Sequence, residues 1–369
     1  DPLLEQPLLK MLFGEDTEEN RLRLLQTSVA QPAIFAVSYA QAMRWIEWGI
    51  EPAALAGHSI GEYVAATLAG VMRLEEALPL VALRGKLMQA MVPGRMFAVM
   101  RPVEEVVAIL EDHPELDLAA SNSPSFTVVS GDAKPLKAFE TEMAKRQILC
   151  KALHTSHAFH SRSMDPMLRD FESAVSKLKL SAPTIPYPSN LSGTWITNEE
   201  ATSPAYYASQ VRGAVRFSEC LLTIMTQFQD QGENALFLEM GPGKTLTTFA
   251  GEIVSGTHHL AVSTLPTAKE EVPSDRFTLE ALGRVWAAGQ SISWDRLTPP
   301  GTRCRVSLPT YRYDEKTYRS RDENIRGCRN GYDPADSALL HVPVWKQTHL
   351  SANLPGDTDT VTSPVWLCF

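Results

Sequence analysis

Ala56-Gly57-His58-Ser59-Ile60-Gly61-Glu62-Tyr63 decides how the rest of the chain is read. The stretch holds a Gly-x-Ser-x-Gly. A short apolar run, Ala53 to Ala56, precedes it, and a helix-like run from Tyr63 to Ala69 follows, closed by Gly70. Strand, sharp turn and helix in that order push a serine out of the sheet with its hydroxyl exposed, and the flanking glycines let the backbone pass without a Cβ clash. Ser59 then stands at a helix N-terminus, where free N–H groups, that of Ile60 first among them, stabilise an oxyanion. Ser59 is therefore the candidate nucleophile and Ile60 the candidate oxyanion donor. A Gly-x-Ser-x-Gly also arises by chance. The strand and helix on its two sides weigh for function.

Working outward, Gln31-Pro32 opens apolar residues at helical spacing from Ala33 to Trp48, ended by Gly49 and Pro52. Residues 1–20 read as polar and loop-like around a short apolar segment, Leu8–Phe13. Leu74 to Met91 reads as a second long helix, broken by Pro93-Gly94. The rhythm then changes: strand Met96–Met100, helix Val103–Leu110, strands Leu116–Ala120 and Phe126–Ser130, helix Pro135–Arg146, strand Ile148–Leu153. That order, in about sixty residues, is the split βαβ, ferredoxin-like signature. It predicts a small domain inserted into a larger one. From His160 the larger domain resumes with helix Pro166–Leu178, a proline-punctuated loop region, helix Ser218–Gln227, strand Leu236–Glu239, the turn Gly241-Pro242-Gly243-Lys244, helix Thr245–Ile253 and strand Leu260–Thr264.

Strands alternating with helices predict a mostly parallel sheet. The fold class is α/β, with a hydrolase-like core and an inserted ferredoxin-like βαββαβ subdomain. The expected boundaries are 1–92 and 161–266 for the large subdomain and 93–160 for the small one. An ordered linker follows over 267–323, with an amphipathic helix Phe277–Ala288, and 324–369 is a flexible segment running into a further region. Asp1 opens the chain without an initiator Met, and Trp366-Leu367-Cys368-Phe369 stops it inside an apolar, strand-like run. Both ends read as cut from something longer.

Composition narrows the function. At 369 residues the chain holds two or three domains and a sizeable core. Its net charge of -9 and lack of a basic patch argue against nucleic acid, and no Lys/Arg run beside an apolar helix suggests a membrane surface. No apolar run reaches membrane-spanning length. Five scattered cysteines (Cys150, Cys220, Cys304, Cys328, Cys368) form neither a disulfide framework nor a zinc spacing. A reducing, cytoplasmic protein with no bound metal or covalent cofactor is expected.

A serine needs a base. His154, His157 and His160 cluster where the inserted domain rejoins the sheet, and a crevice between domains is a common place for a site. Any one of them, taken singly, is as well explained as a partly buried structural histidine. Together at that junction they offer a group that takes the Ser59 proton and returns it to a leaving group. His58 reads as shaping the elbow. Gly241-Pro242-Gly243-Lys244 lacks the Gly-x-x-x-x-Gly-Lys-Ser/Thr form, so a phosphate loop is rejected.

Four motifs in order, Gly57-His58-Ser59-Ile60-Gly61-Glu62, Arg84-Gly85-Lys86-Leu87-Met88-Gln89, His157-Ala158-Phe159-His160-Ser161 and Glu239-Met240-Gly241-Pro242-Gly243-Lys244, resemble the acyltransferase domain of modular type I polyketide synthases. That family is related to malonyl-CoA:acyl-carrier-protein transacylases, and the resemblance covers roughly residues 1–265. Leu308-Pro309-Thr310-Tyr311 and Tyr318 resemble the segment after this domain, and His341-Val342-Pro343-Val344-Trp345 with the strand-like tail resembles the start of a ketoreductase region.

The resemblance implies roles residue by residue. Ser59 is acylated, and His160 is the general base, oriented by a backbone carbonyl rather than by a carboxylate. Arg84 pairs with the free carboxylate of a malonyl group, as a planar, permanently charged fork is suited to do. Phe159 fills the space an α-methyl would need, and Ile60 after the nucleophile points the same way, so malonyl is preferred over methylmalonyl, by about 1–3 kcal/mol at most. His157 lines the pocket, and Asn122 stands at the small-domain edge, facing the cleft or serving structure. The implied donor is malonyl-CoA and the acceptor a phosphopantetheinyl acyl carrier protein, with ketosynthase and ketoreductase domains as neighbours.

One departure stands out. The family carries a Gly-Gln-Gly-x-Gln strand near its start, whose Gln N–H completes the oxyanion hole, and this chain has none. Asp1-Pro2-Leu3-Leu4 matches the residues that come after that strand in the family. The first strand and half the hole are therefore expected to be missing, which costs about 10²–10³ in rate for one such donor. Two other readings share the elbow: a serine hydrolase of α/β type, needing an acid between Ser59 and His160, and an inactive structural segment of a megasynthase.

Overall fold

The computed structural model describes residue 4, residues 6–297 and the backbone of residues 361–368. The chain begins with helices α1 (Leu8–Phe13), α2 (Glu18–Leu24) and α3 (Thr27–Glu47). Strand β1 (Ala54–Gly57), helix α4 (Ile60–Leu68) and helix α5 (Leu74–Gln89) follow. Then come β2 (Arg95–Val99), α6 (Val103–Leu110), β3 (Asp117–Ser123), β4 (Phe126–Gly131), α7 (Ala133–Lys145) and β5 (Cys150–Ala152). A 3-10 turn, Arg162–Met167, leads into α8 (Leu168–Val175), α9 (Asn198–Ala201), α10 (Pro204–Arg212), β6 (Val215–Arg216) and α11 (Phe217–Asp230). The last elements are β7 (Asn234–Met240), α12 (Thr245–Ile253), β8 (Leu260–Ser263), α13 (Ser274–Ala287), α14 (Trp294–Leu297) and β9 (Val361–Cys368).

Two sheets result. The first is all parallel, in the order β1-β9-β7-β8. Its strands alternate between two cores. Leu55, Leu236 and Leu238 face a core with Phe35, Trp45, Tyr63 and Phe171, while Ala54, Ala56 and Phe237 face one with Phe217, Leu221 and Phe249. A parallel sheet covered on both faces needs such continuously apolar strands.

The second sheet runs β5-β2-β4-β3-β6, antiparallel among the first four, with β6 added parallel to β3. One of its faces packs on α6 and α7 through Phe97, Val106, Val129, Leu136 and Phe139. The other, with Met96, Ala120 and Val128, joins the core under α11 and α12. Strand β6 comes from the segment after His160, so the small sheet is completed by chain from beyond the insertion.

Several elements differ from the sequence reading. Helix α3 starts at Thr27 rather than after Pro32. The Thr27 N–H is capped by Gln89 Oε1 at 2.7 Å, and Pro32 sits within the helix, where it leaves one carbonyl of the preceding turn without its N–H partner. The stretch expected as one helix over 166–178 is a 3-10 turn followed by α8, since Pro166 falls inside the turn. The loop-like N-terminal stretch contains α1 and the start of α2. The tail, set apart in the sequence reading, enters the parallel sheet: β9 pairs with β1 from Val365 to Cys368 and with β7 from Val361 to Cys368, between the two. Leu308–Tyr311, Tyr318 and His341–Trp345 lie outside the described residues.

Candidate active site

Ser59 joins β1 to α4 with φ 51° and ψ -105°, a conformation that residues with a Cβ rarely adopt. The turn is tight: a Cβ on Gly57 would lie 2.1 Å from the Gly61 carbonyl carbon. Such strain persists only where the surroundings over-determine it. Here the Ser59 N–H donates to Asn190 Oδ1 at 2.8 Å, and Gln210 Nε2 donates to the Ser59 carbonyl at 2.9 Å. Asn190 Nδ2 donates to the Gly57 carbonyl at 2.7 Å, so one amide grips the elbow on both sides of His58. Asn190 is held in turn, its N–H donating to Glu62 Oε2 at 2.7 Å, while Tyr206 Oη donates to Glu62 Oε1 at 2.6 Å. Burial pushes the Glu62 carboxyl up to about 7, against the pull of those two hydrogen bonds and of the Arg84 charge. Ile60 heads α4, so its N–H has no carbonyl a turn back in the helix and remains a donor beside Ser59.

His160 also sits at positive φ, 54°. Its Nε2 lies 2.7 Å from Ser59 Oγ and its Nδ1 2.9 Å from the Gly213 carbonyl. A carbonyl only accepts, so Nδ1 carries the proton and Nε2 offers its lone pair to the serine hydroxyl. Burial first, then the charges of Arg84 and His58, push the imidazole down to about 3 and keep it neutral as a base. The third member is a backbone carbonyl, not a carboxylate.

Arg84, on α5, is 1% exposed. Its Nη1 donates to Gln31 Oε1 at 2.7 Å and its Nη2 to Ser59 Oγ at 3.1 Å. Its guanidinium lies 5.3 Å from the centre of the Tyr63 ring, and Nε has no acceptor. Among the described residues no carboxylate forms an ion pair with it. Burial accordingly pulls its pKa below the ordinary arginine value. A buried cation is costly to leave without a counter-charge, and this one lies beside the Ser59 hydroxyl.

The other sequence candidates stand one step back. His157 is buried, with Nδ1 2.7 Å from Ser156 Oγ and its ring 5.9 Å from that of Phe159. Phe159 is half-buried and touches both cores of the parallel sheet. Asn122 Oδ1 meets His58 Nε2 at 2.7 Å, so Asn122 reaches the elbow through His58 rather than directly. Gln31, Asn190, Gln210 and Gly213 were not found from sequence. Asn190 and Gly213 lie in irregular chain with no periodicity to mark them. Gln210 lies on α10, which Ser203-Pro204 announces by placing proline at the first helical turn. Among the described residues no group of three or more His, Cys, Asp or Glu could hold a metal ion, and no helix is long and apolar enough to cross a membrane.

An elbow serine on a parallel sheet, an imidazole backed by a carbonyl and a buried arginine thus stand together in an α/β fold. The chain belongs to the acyl transferase domain family, whose profile matches residues 14–282. It is 36% identical over 321 residues to the spectinabilin polyketide synthase system protein NorB of Streptomyces orinoci, covering 86% of this chain and 14% of that protein. The acyl transferase domain of ZmaA superposes with a TM-score of 0.74 at 34% identity, over 82% of this chain and 69% of that one. A malonyl CoA-acyl carrier protein transacylase from Burkholderia pseudomallei gives a TM-score of 0.64 at 30% identity, over 70% and 88%. The chain thus spans only a small part of the length of its polyketide synthase relatives.

Proposed function

We propose that this acyltransferase loads a malonyl unit from malonyl-CoA onto Ser59 and passes it to the phosphopantetheine thiol of an acyl carrier protein. The observation that carries the reading is the buried, unpaired Arg84 guanidinium aimed at Ser59 Oγ. It suits an acyl group that bears its own carboxylate, and the malonyl transacylase neighbour agrees.

In the proposed cycle His160 Nε2 takes the Ser59 proton as Oγ attacks the thioester carbonyl. The oxyanion is met by the Ile60 N–H. The C–S bond breaks, and the imidazolium returns its proton to the departing coenzyme A thiolate. The carrier thiol then runs the same steps in reverse order. Phe159 beside His160 narrows the space at the malonyl α-carbon.

We read 93–160 as a ferredoxin-like subdomain inserted in a hydrolase-like core formed by 1–92 and 161–266, and 267–323 as a linker. The chain's polyketide synthase relatives support a place within such an assembly; ketosynthase and ketoreductase neighbours and a cytoplasmic setting are what the sequence motifs and scattered cysteines lead us to propose.

The test is intact-protein mass after brief exposure to malonyl-, methylmalonyl- or acetyl-CoA. A malonyl adduct is expected that vanishes in Ser59→Ala. In Arg84→Ala the malonyl rate should fall about a hundredfold relative to acetyl, as for loss of one partner of a buried charge pair. An adduct surviving Ser59→Ala sinks the assignment, and fast release of free malonate without acceptor favours a hydrolase. A methylmalonyl rate equal to the malonyl rate removes the role of Phe159.

A further inference from the structure

His160 is held by two pieces of chain, its own strained segment and the Gly213 carbonyl behind Nδ1. Both pieces are tied to one carboxylate on the small sheet. Asp117 opens β3, and its side chain is 13% exposed. Arg162, two residues past His160, donates its backbone N–H and Nε to Asp117 Oδ2, each at 3.0 Å, and Nη2 to Oδ1 at 3.3 Å. Arg212, the residue before Gly213, donates Nη2 to the same Oδ1 at 3.2 Å. Its Nε pairs with Asp165 Oδ1 at 2.8 Å, extending an open chain of alternating charges, Arg162–Asp117–Arg212–Asp165. On the far side of Gly213, Val215 and Arg216 pair with Ala120 and Ser121 of the same strand. The imidazole and the carbonyl that sets its tautomer are thus both referenced to β3.

We propose that Asp117 is a positioning residue for His160, fixing the Nδ1–Gly213 contact and with it the aim of Nε2 at Ser59. Asp117 touches neither the imidazole nor the serine. It acts by anchoring Arg162 and Arg212, whose neighbours do. Two observations support a role beyond surface pairing. The carboxylate accepts four hydrogen bonds from two arginines separated by fifty residues of chain. The residue it steadies keeps a backbone conformation that needs outside support. A misplacement of about 1 Å in a reacting group costs up to about a hundredfold in rate, so a loosened imidazole should show in the acylation step.

The inference rests on the Ser59–His160 pair and deepens the proposed acyl transfer. Its test therefore includes a readout that needs no malonyl group. In Asp117→Asn, the rate constant for Ser59 malonylation should fall about tenfold with the half-saturating malonyl-CoA concentration within about twofold of wild type. The rate of Ser59 modification by a neutral fluorophosphonate should fall in parallel, and the downfield Nδ1 proton resonance of His160 should weaken or shift. Arg212→Gln should do the same if Asp117→Asn fails to fold. Glu142→Gln, which cuts the His113 and Arg146 pairs elsewhere on the small subdomain, should leave both rates unchanged.

If the fluorophosphonate result holds while no malonyl adduct forms in any variant, the clamp stands and the malonyl reading falls. If folded Asp117→Asn and Arg212→Gln keep wild-type rates toward both reagents and an unmoved resonance, Asp117 is a structural ion pair only. A lowered melting temperature with unchanged rates below it likewise reduces Asp117 to a structural role.

Discussion

The two sheets differ in how their strands are gathered. β2 to β5 come from one continuous run, Arg95 to Ala152, with only β6 added from outside. The parallel sheet collects Ala54–Gly57, Asn234–Met240, Leu260–Ser263 and Val361–Cys368 from across the chain. Contacts close in sequence cost little loop entropy and form early, whereas scattered parallel strands wait for long closures. The site lies where the two meet: Ser59 leaves the parallel sheet at the end of β1, and His160 follows the exit of the small one. Each half of the pair thus inherits its placement from a different kind of assembly.

The largest effect should come from deleting residues 359–369. Without β9, strands β1 and β7 lose their shared partner, and about 5 kcal/mol or more of stability should go, enough to abolish a single cooperative melt. Circular dichroism and hydrogen exchange check this, with protection kept in β2–β5 and lost in β1 and β7. An unchanged melt would break the comparison by showing that β9 carries no weight.

Next come two buried phenylalanines of equal burial, one for each sheet, Phe237 and Phe139. Truncation of either to alanine should cost about 3–5 kcal/mol. Phe139→Ala should raise exchange only in the small subdomain, and Phe237→Ala should raise it throughout.

The smallest effect separates the two sides of the pair by pH. The His160 pKa is depressed, so between 6.5 and about 3 the unfolded chain binds more protons and stability falls as pH falls. The Glu62 pKa is raised, so between 4.5 and about 7 the folded chain binds more protons and stability falls as pH rises. Over pH 4.5–6.5 the two slopes oppose each other. Relative to wild type, Glu62→Gln should therefore gain stability with rising pH and His160→Gln should lose it, each by about 2 kcal/mol across the window. Urea titrations at several pH values read this directly. Slopes of the same sign in both variants would show that the two groups are not titrating as placed.

Legibility followed the same divide. The small sheet's elements are short, contiguous and punctuated by Pro102, Gly131 and Asp132, so their order could be read with boundaries off by a few residues. The elbow was readable because a Cβ at Gly57 would run into Gly61, so a Gly-x-Ser-x-Gly between an apolar run and a helical one marks a turn this tight. Strand β6 is two residues long and exists only because β3 offers it an edge, so no local pattern marks it. Asn190 and Gly213 act through an amide and a carbonyl set by tertiary packing, not by periodicity. Helix α9 carries a signal in the sequence itself, the Thr197–Glu200 capping box.

The backbone at Ser59 also limits what evolution or an engineer can place there. Threonine keeps the hydroxyl, and by chemistry alone would be the mildest exchange. Yet a β-branched residue at φ 51° is a true conformational outlier, and its added methyl would have to fit beside His160 Nε2 and Arg84 Nη2. Cysteine is unbranched and suffers neither conflict. The position therefore discriminates among nucleophiles by the shape of the carbon that bears them, so a thiol is a closer neighbour of this serine than the other alcohol.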